Sequence, residues 1–374
     1  MKQRTFNILL TVLFCLFIGG MFLGSILLPD RTFSQLENRN LAAAPKLSWE
    51  TVTTGTFMED AEDYVNDQII GRDFWVALKA WSERVSGKQE NNGVYFAKED
   101  TLISRVDTPE QSTLDTNAGY VNALVDNVDV PVYFGIIPSA AEIWSDRLPE
   151  GAPTADEKAI IDRLYNEVQT HVIDLYSVLN AHKDEELYYR TDHHWTSLGA
   201  YYGYTALMNA MGLEAVPLDE SQKVTVSDEF YGTLFSSSGV RWLPPDHIDR
   251  YISDEGVTVT AYPNGAPEPG SLYVDSYLEV KDKYSSFLGG NKPLCVIETE
   301  HTGAPKVLVI RDSYADSLAP FLTQNFSEIH LFDPRMNLTS VKDYVVQNEI
   351  DSVVVLYSIS NFFAKGSQLF VLGG

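Results

Sequence analysis

An aspartate and two histidines are adjacent at Asp192, His193 and His194, in a chain that has seven histidines. In an extended loop, side chains two residues apart point the same way, so the carboxylate of Asp192 can lie beside the imidazole of His194. A carboxylate there can orient the imidazole and stabilise its protonated form during general base catalysis. The pair could instead be structural and cap the helix that follows. Catalysis would also need a nucleophile.

Ser313 is the nucleophile that the sequence offers. The apolar run at residues 307–310 predicts a buried strand, which breaks at Asp312-Ser313 before a short helical pattern. At the amino end of a helix, backbone N–H groups and the helix dipole favour negative charge on the serine oxygen and on a nearby oxyanion. Ser313 could instead cap this helix, unless Asp312 does so and leaves the serine free.

The elements around these residues predict an α/β fold. Thr196 is a typical N-cap and Gly212 a typical C′ residue for a helix between them. From about residue 108, apolar strands alternate with helices, which indicates a mainly parallel sheet covered on both faces. In such sheets, sites form beyond the carboxyl ends of the strands. The residues that follow a predicted strand in this sense are Ser139, Ser313, Asp333 and Ser358.

Local patterns predict further helices, turns and strands. These are two helices joined at Gly71, a hairpin over residues 93–103, a helix opened by Thr108 and Pro109, a capping box at residues 154–157, a short strand at 172–175 and a last strand near Phe370.

Residues 213–304 break the alternation, because Pro- and Gly-rich stretches separate several short β-like runs there. We interpret this part as an inserted β-rich segment that packs over the mouth of the site. The expected organisation is then a cytoplasmic tip with a transmembrane signal-anchor at residues 1–29, a stalk with N-terminal helices at 30–107, and an α/β domain at 108–374.

Residues 6–29 carry no charge and are long enough to cross a bilayer as a helix. Lys2 and Arg4 precede them, which favours a cytoplasmic N-terminus and an extracytoplasmic domain. A cleaved signal peptide is the alternative, but the apolar run is longer than a typical signal core and no clear cleavage site follows it. The sequence therefore predicts a single-pass protein of the cell membrane, in contact with the lipid bilayer through residues 6–29.

The formal net charge of −25 argues against nucleic acid as a partner and leaves a neutral glycan open. Cys15 and Cys295 are too few for a cysteine metal site. Asp-His-His also occurs in metal-dependent phosphoesterases, but such sites need further ligands at fixed spacings, and the other histidines are scattered singly. We predict no metal and no cofactor.

These segments resemble the DHHW proteins, relatives of the alginate O-acetyltransferase-like branch of the SGNH hydrolase superfamily. The resemblance rests on the Asp-His-His-Trp segment, the late Asp-Ser-Tyr and shorter motifs over most of the chain beyond the apolar run. Those motifs are residues 37–39, 67–73, 93–95, 231–234, 284–293 and 333–335. In that branch, an Asp-x-His-Trp motif supplies the aspartate and histidine of a triad, and a late Gly-Asp-Ser-like turn supplies the serine.

The resemblance implies a three-layer, SGNH-hydrolase-like (flavodoxin-like) fold with Ser313, His194 and Asp192 as the triad. Arg311 departs from the family pattern, in which Gly often stands before Asp-Ser, and this departure leaves the oxyanion side open. Other residues could contact substrate or the oxyanion, or could have only packing or surface roles. These are Arg190, His193, Tyr314, Arg335, Asn361 and Ser139.

The function implied by the resemblance is that of a serine enzyme which transfers or hydrolyses O-acetyl groups on a cell-surface polysaccharide. A membrane-bound O-acyltransferase would be the partner that donates the acyl group. The alternative is a non-catalytic module that binds glycan or acts as a scaffold in polysaccharide assembly or modification. Loss of acyl chemistry on removal of the Ser313 hydroxyl would distinguish the two.

Overall fold

The computed structural model describes residues 3–373. The chain divides into two units. One comprises the residues up to Lys88 together with Ser236–Trp242, and the other comprises Gln89–Phe235 and Leu243–Gly374.

The helices are α1 Gln3–Leu27, α2 Trp49–Thr54, α3 Thr56–Gln68, α4 Arg72–Val85, α5 Gln111–Asn127, α6 Ala140–Ile143, α7 Glu157–Glu167, α8 Leu175–Ala181, α9 Ser197–Met211, α10 Thr233–Ser238, α11 Ala315–Leu322, α12 Val341–Gln347 and α13 Ile359–Phe362. The strands are β1 Phe33–Ser34, β2 Arg39–Asn40, β3 Glu90–Asn91, β4 Val94–Phe96, β5 Leu102–Ser104, β6 Val132–Ile137, β7 His171–Val172, β8 Val224–Phe230, β9 Asp246–Arg250, β10 Thr258–Ala261, β11 Glu268–Pro269, β12 Leu294–Glu298, β13 Lys306–Arg311, β14 Glu328–Phe332 and β15 Ser352–Ser358.

An eight-stranded sheet in the order β11-β10-β12-β14-β13-β15-β6-β7 organises the larger unit. The strands from β14 to β7 are parallel, which confirms the predicted mixed α/β fold with a mainly parallel sheet. Every residue of β15 is buried, so both faces of the sheet are covered at its centre. This explains why the strand is a continuous apolar run rather than an alternating one.

The segment at residues 213–304 contributes to this sheet, which the sequence did not predict. Strands β10, β11 and β12 extend it from β14 by antiparallel pairing. Strands β8 and β9 form a separate antiparallel pair. Joining an existing sheet edge pairs the backbone groups of β10, β11 and β12, and local sequence patterns do not determine which edge a strand joins.

Three of the local predictions are confirmed. Thr196 caps α9 by accepting a hydrogen bond from the Gly199 N–H, and Gly212 ends the helix with a left-handed φ of 68°. Gly71 joins α3 and α4. The predicted hairpin is formed by β4 and β5.

Four local predictions are wrong in detail. Helix α5 begins at Gln111, two residues beyond Pro109. The N-cap of α7 is Asp156 rather than Thr154, because the side chain of Glu157 turns inward to Ser139 instead of closing a capping box. Strand β7 ends at Val172, and Asp174 caps α8 immediately afterwards. The segment around Phe370 is a 3-10 helix, Leu369–Gly373, rather than a strand.

Helix α1 is long and apolar enough to cross a membrane, with a mean hydropathy of 2.4, and none of its residues is buried in the protein. This agrees with the length and composition expected of residues 6–29.

Candidate active site

The turn between β13 and α11 carries Ser313 and is fixed by its own backbone. The Tyr314 N–H donates to Oδ1 of Asp312 at 3.1 Å, and the Ala315 N–H donates to the Asp312 carbonyl at 3.2 Å. The Asp316 N–H donates to the Ser313 carbonyl at 3.1 Å. Asp312 thus closes the turn in the manner of a cap, and the hydroxyl of Ser313, a partly exposed residue, is left for another partner.

The second oxygen of Asp312 connects this turn to the end of the neighbouring strand β15. Oδ2 accepts hydrogen bonds from the backbone N–H and the hydroxyl of Ser358, at 2.9 and 2.5 Å. It also accepts one from the side-chain amide of Asn361 at 2.9 Å. Since Asp312 is fully buried, these donors compensate for its lost hydration and hold the ends of the two strands together.

Asp192, His194 and Ser313 form a continuous hydrogen-bonded line. Nε2 of His194 lies 2.8 Å from Oγ of Ser313, and Nδ1 lies 2.6 Å from Oδ1 of Asp192. The same carboxylate oxygen accepts the His194 backbone N–H at 3.0 Å. A proton on Nδ1 facing the carboxylate leaves Nε2 as the acceptor for the serine proton, which is the tautomer that a general base needs.

The environment keeps Asp192 ionised. Burial by itself would raise the pKa of this carboxyl, but the imidazoles of His193 and His194 and the donated hydrogen bonds hold it well below its usual range. Its Oδ2 accepts from the backbone N–H and the hydroxyl of Thr233, at 2.6 and 2.9 Å. Gly232 leaves the room for this contact, because a Cβ there would lie 2.3 Å from Oδ2.

Tyr284 covers one face of the His194 ring. The two rings are stacked, with centroids 3.8 Å apart and an interplanar angle of 9°. The Tyr284 hydroxyl donates to the Ser313 carbonyl at 3.0 Å and shares a hydrogen bond with Oγ of Ser317 at 3.0 Å. Because burial raises the pKa of Tyr284 well above its ordinary value, its hydroxyl keeps its proton. One side chain thereby contacts both the imidazole and the turn that carries the serine.

The side chain of Trp195 connects the histidine segment to the serine turn. Its indole N–H lies 2.9 Å from the Tyr314 carbonyl and 3.0 Å from Oγ of Ser317. The indole is fully buried against α9, where Gly203 gives it space, since a Cβ there would lie 2.6 Å from the ring. The Trp of the Asp-His-His-Trp segment therefore has a structural place beside the site.

A cleft of about 140 Å³ lies next to this line of residues and collects four of the six further candidates. It is lined by Ser139, His193, Tyr314 and Asn361, together with Asp192 and small residues such as Ala140. The lining contains hydroxyl, amide and imidazole groups but no cationic side chain. Its polar groups suit a neutral, hydroxyl-bearing ligand better than an anion.

Three of the candidate side chains in the cleft already have partners within the protein. The Tyr314 hydroxyl donates to the His193 carbonyl, and the Asn361 amide donates to Asp312. The Nδ1 atom of His193 lies 2.7 Å from Oγ1 of Thr233. Desolvation and, to a smaller extent, the neighbouring imidazole of His194 lower the pKa of His193 to about 4, so this ring is neutral at neutral pH.

The remaining two candidates do not line this cleft. Arg190 pairs with Asp246 at 3.3 Å, donates to the Pro245 carbonyl at 2.8 Å and lines a separate surface cleft. Arg335 forms a two-pronged pair with the fully buried Asp333, at 2.8 and 2.6 Å. Each guanidinium thus pairs with a nearby carboxylate. The residue type alone does not reveal such a partner.

Arg311, at the position where the family pattern has Gly, is fully buried behind the serine turn. Its Nη1 lies 3.0 Å from Oδ1 of Asp316 and 2.9 Å from Oδ1 of Asn291. Burial raises the pKa of Asp316 to about 6, and the charge of Arg311 opposes that rise. An internal ion pair thus holds the Arg311 side chain inside the protein. Arg311 does not line the cleft.

Within residues 3–373, Asp192, His193 and His194 also form a group whose possible metal-ligand atoms lie within 4.8 Å of one another. Both ring nitrogens of His194 are already engaged, one by Asp192 and one by Ser313. A metal ion would have to displace one of these hydrogen bonds. The donor set therefore fits a serine–histidine–aspartate arrangement better than a metal site.

The fold and the site together define a mixed α/β protein that carries a hydrogen-bonded Ser–His–Asp line at the carboxyl end of a central strand. The model of the DHHW protein family matches residues 110–332, more than half of the chain, and the chain belongs to this family. No curated protein matches the sequence.

Several solved structures are similar. A DHHW family protein from Eubacterium siraeum is 26% identical, with a TM-score of 0.66, and the match covers 75% of this chain and 95% of that one. Bacillus cereus PatB1, in a structure with a sulfonyl adduct, is 21% identical with a TM-score of 0.61, over 74% of this chain and 97% of that one. The O-acetyltransferase domain of Pseudomonas putida AlgJ matches with 16% identity and a TM-score of 0.45, over 73% and 93% of the two chains.

Proposed function

We propose that this protein is a membrane-anchored, extracytoplasmic serine enzyme that transfers or hydrolyses O-acetyl groups on a cell-surface polysaccharide, on a three-layer SGNH-like fold. The observation that supports it most is the unbroken line from Oγ of Ser313 through His194 to Asp192, at 2.8 and 2.6 Å. In this geometry one proton can leave the serine as its oxygen attacks a carbonyl.

The reaction begins with the attack of Oγ on the carbonyl carbon of an acetyl ester. Nε2 of His194 takes the serine proton, and Asp192 stabilises the imidazolium through Nδ1–H. His194 then returns the proton to the departing alcohol, which leaves an acetyl-serine. In the second half, a sugar hydroxyl or water attacks the carbonyl of this ester and gives its proton to His194. The bond to Oγ then breaks, His194 returns the proton to Oγ, and the acetylated sugar or acetate leaves.

The lining of the cleft supports a neutral polar acceptor. Hydroxyl and amide groups of Ser139, Tyr314 and Asn361 face a space beside the line of residues, without a cationic side chain that would select an anion. The acetyl group and the polysaccharide are what the resemblance to the DHHW proteins and their alginate O-acetyltransferase-like relatives implies. Anchoring is supported by α1, and the acyl donor in this proposal is a membrane-bound O-acyltransferase.

The test is covalent labelling of Ser313 in the full chain in detergent. An aryl sulfonyl fluoride, which forms a stable ester with an activated serine, and a small activated acetyl ester are each incubated with the protein, and the adduct is located by peptide mass spectrometry. PatB1 has been captured with a sulfonyl adduct, which makes this reagent class suitable. A single adduct on Ser313 is expected.

Ser313→Ala should abolish the adduct, while Ser253→Ala, at an exposed serine, should leave it unchanged. His194→Gln should reduce the rate of labelling by a factor of about 100 or more, because a general base contributes roughly that much. If the folded parent protein does not react with either reagent, the proposal is wrong, and the non-catalytic glycan-binding role takes its place.

A further inference from the structure

Helix α4 exposes four large apolar side chains on one face. Phe74, Leu78, Trp81 and Val85 are 61%, 38%, 55% and 66% exposed. Their spacing of four, three and four residues places them in one narrow stripe along the helix. We call these four residues the α4 stripe.

The opposite face of α4 is the one that packs inside its unit. Ala80 is fully buried, and Val76 and Ala80 lie close to Gly239, where a Cβ would be 3.3 and 3.5 Å from their side chains. A helix that packs on a water-soluble domain usually has the reverse polarity, with its large apolar residues facing the core. An exposed stripe of this kind marks a surface that is covered by something else.

Contacts within the same unit attach the start of α4 to helix α1. The Trp75 ring packs edge-to-face on Phe17 of α1, with centroids 6.1 Å apart. The Ile70 backbone N–H donates to Oγ of Ser25 at 3.0 Å, and a Cβ on Gly24 would lie 2.9 Å from the Ile70 side chain. The start of α4 is therefore held against the second half of the membrane-length helix.

The contacts of Ile70 with Gly24 and Ser25 lie near the outer end of α1, so the start of α4 lies near the level of the bilayer surface. Phe17, which Trp75 contacts, lies deeper, near the middle of residues 6–29. With Arg4 on the cytoplasmic side, the second half of α1 lies in the outer half of the membrane. A lipid layer around α1 then reaches the residues packed beside it. Trp side chains favour this interfacial region, and an amphipathic helix with Trp, Phe and Leu on one face lies in it parallel to the membrane.

We propose that the α4 stripe docks on the outer surface of the lipid bilayer, so that the protein is held by a transmembrane helix and an interfacial helix together. The inference rests on the membrane anchoring proposed above and is independent of the chemistry at Ser313. Two attachments would limit rotation of the N-terminal unit about α1, which a single helix does not.

Depth-dependent fluorescence quenching tests the proposal in the full chain. Cys15 lies in α1, and Cys295 is buried. A polarity-sensitive fluorophore is attached to native Cys15, or to Trp81→Cys or Lys79→Cys in a Cys15→Ser background. Lys79 is an exposed residue of α4 outside the stripe and provides the matched control. The proteins are reconstituted into phosphatidylcholine vesicles with a nitroxide placed near the headgroup or near the end of the acyl chain.

The label at position 81 should be quenched by the shallow nitroxide and should shift to shorter wavelength, while the label at position 79 should show neither change. Equal behaviour at the two positions, or no quenching at position 81, overturns the proposal. Disulfide formation between two unlabelled Trp81→Cys chains on addition of a mild oxidant would show that a second copy covers the stripe instead. Quenching at Cys15 separates the cases: if it is absent, the anchoring itself fails, and if only position 81 is unquenched, the anchor stands without the interfacial helix.

Discussion

The ring of Tyr284 lies parallel to the imidazole of His194 at a centroid distance of 3.8 Å. An aromatic face in this position restricts rotation of the imidazole and attracts its protonated form through the ring quadrupole. Both effects favour proton transfer from Ser313. Tyr284 is thus expected to act as a positioning residue for the general base.

Tyr284→Leu should slow sulfonylation of Ser313 roughly 2- to 30-fold, the factor that corresponds to loss of a cation–π contact of about 0.5 to 2 kcal/mol. Tyr284→Phe keeps the ring and should stay close to the parent. The measurement is the labelling rate as a function of pH. In Tyr284→Leu, the rate should be lower than that of the parent across the pH range, because the imidazole loses the ring that holds its orientation. An equal loss in Tyr284→Phe would show that the hydroxyl, and not the ring, is responsible.

Thr233 should matter through its hydrogen bonds to Asp192. Thr233→Val removes the hydroxyl that lies 2.9 Å from Oδ2 and keeps the backbone N–H at 2.6 Å. A hydrogen bond to a charged group contributes about 1.5 kcal/mol or more, so the labelling rate of Ser313 should fall by roughly tenfold. Thr233→Ser retains the hydroxyl and should recover most of the rate. If Thr233→Ser and Thr233→Val behave alike, the hydroxyl does not support the aspartate.

Gly232→Ala should be more damaging than Thr233→Val. A Cβ at residue 232 would lie 2.2 Å from the Cβ of Asp192 and 2.3 Å from its Oδ2, so either the carboxylate or the loop must move. Displacement of the carboxylate from His194 should slow labelling of Ser313 by a factor of about 100 or more, while the far-ultraviolet circular dichroism spectrum stays that of the parent. Parent-like labelling would show that the loop moves without affecting the aspartate.

The sequence allowed much of this site to be predicted, for reasons that lie in local structure. Asp192 and His194 are two residues apart, and Ser313 follows a continuous apolar strand. The residues next to them in the sequence therefore predict the loop or turn in which each one lies. Thr233 and Tyr284 were not predicted as parts of the site, because both come from the segment at residues 213–304, and only tertiary packing brings them to Asp192 and His194. Both nevertheless lie in motifs that carried the family resemblance, which is the signal that could have identified them.

Elsewhere, partners that are distant in the sequence or not evident from it decide what a side chain contacts. Arg190 and Arg335 could serve a substrate by residue type, but Asp246 and Asp333 hold them. Glu157 fits a capping box in sequence, yet it turns to Ser139 because the turn after β6 presents a backbone N–H and a hydroxyl there. Propensity and spacing describe one segment at a time and do not reveal such partners.

Removal of metal ions should leave the reactivity of Ser313 unchanged. Asp192, His193 and His194 could ligate an ion, but in the hydrogen-bonded line His194 has no free ring nitrogen. Labelling of the chain after dialysis against a strong chelator should proceed at the parental rate, and added Zn²⁺ should inhibit it by competing for the imidazole. Loss of labelling on chelation, with recovery on addition of one stoichiometric metal, would instead support a metal-dependent site.

Glu157 should make the folded state less stable as the pH rises. It is fully buried beside Ser139, and this burial raises the pKa of its carboxyl from 4.5 to about 7, against the hydrogen bonds donated by Ser139. Between these two pH values the folded state binds more protons than the unfolded state, so the free energy of unfolding falls as the pH rises. This decrease in the free energy of unfolding is absent below pH 4.5 and complete above about pH 7, where it amounts to at most about 3 kcal/mol.

Glu157→Gln removes this titration and keeps a side chain of the same size. Urea unfolding of the chain from residue 30 onward, at pH 5 and at pH 8, should therefore show a smaller difference between the two pH values in the variant than in the parent. Asp162→Asn, at an exposed residue of the same helix, should leave the difference as it is in the parent. An unchanged difference in Glu157→Gln would mean that Glu157 remains ionised in the folded state, with the hydrogen bonds from Ser139 fully offsetting its burial.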